Sequence, residues 1–201
     1  MRILVACEES QAVTIELRKL GHEAYSCDIL ESSGGHPEWH LQVDVTELLK
    51  MKWDMILAFP PCTYLTNAGA RHLYPKGILN EERYKKGLEA KDFFMQFYNA
   101  DCDKIAIENP LPSKIYELPP HTQVIQPYEY GHPYKKRTQL WLKGLPNLTS
   151  TNIVDTREST KVAGNWFNKG GNDRQMNRSK TFEGIAKAIA HQWAGQVESS
   201  F

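Results

Sequence analysis

The sequence predicts an α/β fold: a doubly wound, mostly parallel sheet with one antiparallel strand and a docked C-terminal helix. Short, almost wholly apolar runs at residues 3–7, 55–59 and 105–107 read as strands buried on both faces. Helical periodicity lies between them, and a last apolar stretch repeats at helical spacing. With 201 residues and 41% hydrophobic content, the expectation is a single domain over residues 1–201.

Taken in order, residues 2–7 form a buried strand, and Ser10 opens a helix with Val13, Leu17 and Leu20 on one face until Gly21 stops it. A strand at 23–28 ends on Asp28, where an acidic residue in a β-α-β unit commonly meets a ribose. A loop at 32–37, a short strand at 41–44 and a strand at 55–59 ending in Pro60-Pro61 follow. Residues 81–98 read as a long helix with Tyr84, Leu88, Phe94, Met95 and Tyr98 on its apolar side. A strand at 104–108 closes on Asn109-Pro110. Strands at 122–126 and 138–142 have no helix between them and are expected to pair antiparallel. Residues 149–180 lack periodicity and read as a long loop or small insertion. Behind a Thr181 cap, Phe182, Ile185, Ala186, Ile189, Ala190, Trp193 and Val197 mark the final helix.

Basic and acidic residues balance at 24 each, but not locally. Residues 1–130 carry 13 Lys/Arg against 19 Asp/Glu, whereas residues 131–181 carry 10 against 3, which makes the second segment the expected phosphate-contacting surface. Its candidates are Lys135, Lys136, Arg157, Lys161, Lys169, Arg174 and Arg178. The four cysteines form no C-x-x-C pair, and Pro37 between His36 and His40 argues against a helical metal pair, so no metal is expected. Residues 3–7, cut off by Glu8 and Glu9, are too short an apolar run for a signal peptide or a membrane span. A reducing cytosol, bacterial or of a phage-infected host, is the expected location.

The chemistry-bearing residues gather at the carboxyl ends of the predicted strands, where ligands of doubly wound sheets bind. Pro60 and Pro61 fix the backbone and present Cys62 just past one strand, a rigid mount for a nucleophile. Glu108 ends the neighbouring parallel strand, about 4.8 Å away by sheet spacing. A thiolate adding to carbon 6 of cytosine makes carbon 5 nucleophilic, a carboxyl at ring nitrogen 3 steadies the charge that develops, and Arg137 is the candidate cation for the base oxygen.

In this order of motifs the chain resembles the DNA (cytosine-5) methyltransferases. Residues 54–62 resemble that family's Pro-Cys segment, Ile107-Glu108-Asn109 its Glu-Asn segment, and the strand bearing Arg137 its arginine motif. The Pro-Pro-Cys-Thr, Glu-Asn-Pro, Lys-Arg-Thr and Arg-Ser-Lys-Thr segments also look like those of short phage-encoded cytosine methyltransferase-like proteins, from Arg2 to about Ala194. The resemblance implies a Rossmann-like class I methyltransferase fold, S-adenosylmethionine as cofactor and single- or double-stranded DNA as substrate. It implies a cofactor pocket of Cys7, Glu8, Asp28, Ile29, Asp44, Val45, Phe59 and Thr181. Three departures stand out: residues 6–10 replace the Gly-rich turn, Gln139 replaces a second arginine, and no target-recognition domain is present, which leaves residues 149–180 or a protein partner to supply sequence recognition. Two other readings stay open: the same chemistry on a free cytidine nucleotide, and a non-catalytic nucleic-acid or S-adenosylmethionine-binding protein of the same fold.

Overall fold

The computed structural model describes residues 1–159 and 180–197. Seven strands form one sheet: β1 (Arg2–Ala6), β2 (Glu23–Cys27), β3 (His40–Leu41), β4 (Met55–Ala58), β5 (Ile105–Pro110), β6 (Gln123–Ile125) and β8 (Thr138–Lys143). Their spatial order is β3-β2-β1-β4-β5-β8-β6. The first five are parallel, β8 runs antiparallel to both β5 and β6, and the expected α/β doubly wound architecture is the one observed. A second, two-stranded sheet pairs β7 (Tyr134–Lys135) with β9 (Glu158–Ser159) in parallel.

The strands are apolar on both faces because helices cover both. Along β1 the side chains alternate, with Ile3 and Val5 joining one cluster and Leu4 and Ala6 the other. The first cluster is closed by Val13 and Leu17 of α1 (Ala12–Lys19) and by Ile185, Ala186 and Ile189 of the C-terminal helix, here α5 (Glu183–Ile189). The second is closed by Phe94 and Phe97 of α4 (Glu81–Tyr98), which follows the one-turn α3 (Ala70–Leu73), with Trp53, Tyr116 and Trp141 beside them.

Several elements differ from their sequence-based expectation. The strand expected at 41–44 shrinks to His40–Leu41, because Asp44 instead N-caps the short helix α2 (Val45–Leu48) by accepting from Thr46 N at 2.9 Å. On α4, Gly87, Phe94 and Phe97 are buried, while Leu88 and Tyr98 lie on the exposed side. Phe182, not Thr181, takes the N-cap position of α5, and its side chain makes no cap bond. Past Ile189 the chain widens into one π-helical turn (Ala190–Ala194) and stops at Gly195, so Val197 lies outside the helix and is exposed. Among the described residues no helix is long and apolar enough to cross a membrane.

Candidate active site

The strand ends divide into two groups, one beyond β1, β2 and β3 and one beyond β4, β5 and the start of β8. In the first, β1 exits into Cys7, whose φ of 59° is left-handed, a conformation usually given to glycine. The tight turn that a Gly-rich loop would make is thus formed here by a cysteine. Glu8 follows, 4% exposed, with both carboxylate oxygens occupied: Val13 N donates to Oε1 at 2.6 Å, and Thr14 N and Oγ1 donate to Oε2 at 3.2 and 2.8 Å. Glu8 therefore satisfies the open N–H groups at the start of α1. Burial pushes its carboxyl up to about 7 despite those donors.

Asp28 and Asp44 both lie near enough to Cys7 to act on its thiol, which burial foremost, then Asp28, Cys27 and Asp44, pushes far above the usual range. The structure thus brings Cys7, Asp28 and Asp44 together across three strand ends. Asp28 Oδ1 accepts from Leu30 N at 3.0 Å, Ile29 is 73% exposed beside it, and Val45 is buried. An ionised carboxylate has about four acceptor sites, so Asp28 and Asp44 each retain capacity after one backbone bond. Ribose hydroxyls and a cationic sulfonium or ammonium group fit that pair of acceptors. Gln11, which sequence reasoning missed, closes this edge: it is fully buried, receives His36 N at Oε1 (3.1 Å) and donates to His36 O (2.8 Å). No periodicity distinguishes such a glutamine from an ordinary helix-start residue.

In the second group, Phe59 N bonds Ala6 O at 3.0 Å, and the chain then turns through Pro60 and Pro61 to a half-buried Cys62. Leu65 N and Thr66 N both donate to Cys62 O (3.1 and 2.9 Å), closing the turn. The segment is laced to the continuation of β5: Asn67 N donates to Leu111 O (2.9 Å), Ser113 N to Leu65 O (2.7 Å), and Asn109 Nδ2 to Pro60 O (3.2 Å). Asn109 is fully buried and has Gln139 as its cross-strand neighbour on β8.

One residue earlier, Glu108 projects to the opposite face, that of α1 and α5. It lines a narrow cavity of about 30 Å³, room for about two waters, together with Phe59, Lys136, Thr138, Thr181 and Phe182. Burial pushes the Glu108 carboxyl above its usual range, against the opposing pull of the Lys136 charge and of a hydrogen bond with Thr138. Cys62 is not one of the wall residues of that cavity. The cation beside Glu108 is Lys136, whereas Arg137 is exposed. Period-two alternation back from Leu140 and Thr138 on β8 carries this signal, since it assigns residue 136 and not 137 to the Glu108 face.

Of the expected phosphate-contacting residues, β7–β9 pairing brings Lys135 and Arg157 close, since Lys135 lies opposite Ser159 and Arg157 directly precedes β9; both are exposed. Arg157 stacks on the Tyr128 ring at 4.3 Å. Lys161, Lys169, Arg174 and Arg178 lie outside the described residues, as does most of the expected insertion at 149–180. The four cysteines form no disulfide.

No protein-family model matches the chain. No curated protein matches it either. Among solved structures, it is similar to a candidate DNA modification methyltransferase encoded within a prophage, from E. coli, at 13% identity and a TM-score of 0.46, over 76% of this chain and 51% of that one. The chain thus spans about half the length of that protein.

Proposed function

We propose that this protein is an S-adenosylmethionine-dependent methyltransferase acting on carbon 5 of cytosine in DNA through a covalent adduct at Cys62. The observation that carries the reading is the lacing of residues 60–67 to residues 109–113, which ties the Pro-Pro-Cys turn to the strand that bears Glu108. The Cys62 thiolate adds to carbon 6 of the ring and pushes electron density to carbon 5. Glu108, whose burial favours the protonated form, donates to ring nitrogen 3 as the charge develops, an effect worth roughly 10²–10⁴-fold. Lys136 from within the cavity and Arg137 from its exposed neighbour position supply positive charge for the base oxygen. S-adenosylmethionine, when bound, supplies an electrophilic methyl group. Asp28 and Asp44 would hold its hydroxyl and cationic groups, with Cys7, Ile29, Val45, Phe59 and Thr181 around them. Loss of the carbon 5 proton to water then expels the Cys62 thiolate and restores the ring, as nitrogen 3 returns its proton to the Glu108 carboxylate. Glu8 adds to this pocket through its support of α1.

Lys135, Arg137 and Arg157 form the exposed basic surface that supports a DNA substrate. Covalent trapping tests the reading. An oligonucleotide containing 5-fluorocytosine, incubated with S-adenosylmethionine, is expected to give a stable protein conjugate that Cys62→Ser abolishes. A conjugate with 5-fluorocytidine monophosphate alone moves the substrate to the free nucleotide. No conjugate with nucleotide, single strand or duplex overturns the covalent mechanism.

A further inference from the structure

At about 30 Å³ the Glu108 cavity is small beside a pyrimidine, so any movement of its wall bears on the entry of a base. Most of that wall belongs to the sheet or to α5. Among the described residues, those outside both are Phe59, Lys136, Trp193 in the π-helical turn and the pair Thr181–Phe182, which leads into α5.

That pair is held from outside by His132. The first turn of α5 has no side-chain cap of its own, yet Gly184 N donates to His132 Nε2 at 2.9 Å. The imidazole also packs against the Phe182 ring, with centroids 5.0 Å apart. Tyr134 lies 6.0 Å from the same ring and Lys136 Nζ 5.9 Å from it. The approach depends on glycine: a Cβ at residue 184 would stand 1.8 Å from Tyr130 O and 3.1 Å from His132 Nε2. His132 is itself fixed, its N–H bonded to Pro127 O at 3.1 Å and its O receiving Tyr134 N at 2.7 Å.

We propose that His132 is a positioning residue: its neutral imidazole caps α5 and holds Phe182 against the Glu108 cavity, and its protonation releases that wall. An imidazole that accepts at Nε2 carries its hydrogen at Nδ1. Adding a proton turns the acceptor into a donor, which strands the Gly184 N–H and sets a cation at the positive end of a helix. Burial already favours the neutral ring and holds its pKa below the usual value. Glu183 favours the cation and Lys187 opposes it. His191 shares the open cleft beside them, and the neighbouring Tyr130 phenol, pushed up to about 12, stays neutral. Proton binding at this ring therefore falls below the ordinary imidazole range, and the Glu108 cavity is tighter above the midpoint than below it.

This inference rests on the Glu108 cavity being the base site, but its primary test does not. In a pH titration followed by NMR, the Gly184 amide and the Phe182 ring signals are expected to move together with the His132 midpoint, below pH 6.5. His132→Gln, whose side-chain oxygen accepts at any pH, is expected to keep the neutral-pH signals and flatten both titrations. Gly184 or Phe182 signals that ignore the His132 midpoint overturn the proposal, as does an unchanged titration in His132→Gln. The rate of conjugate formation is expected to show a pH step in the wild type that His132→Gln removes; an identical profile in both proteins overturns the link to the cavity. If neither protein forms a conjugate, the covalent mechanism fails while the NMR titration still decides the role of His132.

Discussion

Glu8 and Glu108 occupy equivalent places, each just past or at the end of a buried parallel strand, and in both burial raises the carboxyl pKa. Their surroundings differ. Glu8 receives three protein donors and secures the start of α1, whereas Glu108 faces a cavity with a lysine on the opposite wall. A raised pKa therefore marks burial in both cases, and only the unfilled space beside the second marks a place for chemistry.

The sharpest way to break this contrast is Cys62→Ser, which is expected to abolish conjugate formation while leaving the urea unfolding midpoint nearly unchanged. Next comes Glu108→Gln. Methyl transfer is expected to fall by roughly 10²–10⁴-fold with folding stability retained, as measured by single-turnover kinetics and urea unfolding. Glu8→Ala should do the reverse, costing about 3 kcal/mol of stability through three lost hydrogen bonds and a lost helix cap. Its pH dependence has a definite sign. The folded carboxyl titrates at about 7 and the unfolded one at 4.5, so the folded state holds the extra proton between those values. The stability advantage of wild type over Glu8→Ala should be fully present below pH 4.5 and shrink as pH rises through 7. A Glu8→Ala protein that folds normally but loses turnover would erase the distinction between the two glutamates. The smallest effect is expected for Lys135→Ala combined with Arg137→Ala: weaker DNA binding at each salt concentration and a shallower salt dependence, the slope falling by about one unit for each phosphate no longer neutralised.

Much of the framework was legible because β1, β4 and β5 are apolar on both faces, and few other structures give short unbroken apolar runs between turn signals. The antiparallel pairing of the residues around 124 and 139 also followed, since no helical pattern lies between them to make a crossover. Smaller elements hid behind tertiary contacts. Asp44 reads equally well as a strand end or a helix cap, and only its bond to Thr46 decides. Thr181 is by type the better cap, yet the acceptor for α5 comes from His132, 52 residues upstream, and no local pattern records such a partner. Among three consecutive cations at 135–137, charge alone does not choose, while the pleat of β8 does. The burial of Asn109 beside Pro60 gives a physical reason for an asparagine after Glu108: its amide adds a side-chain tie between two strand ends that backbone bonds also join.

The reversed direction of β8 has an effect on how this molecule could diverge. Parallel strands offer a ligand their trailing residues, which are followed by long crossovers, but β8 offers Thr138 and the basic residues just upstream of it. What reaches the pocket from this quarter is therefore set by the connector at 126–137. Its outward-facing residues, Lys135 and Arg137 among them, can change without disturbing the seven-stranded sheet, so substrate preference has a tuning region apart from those strands.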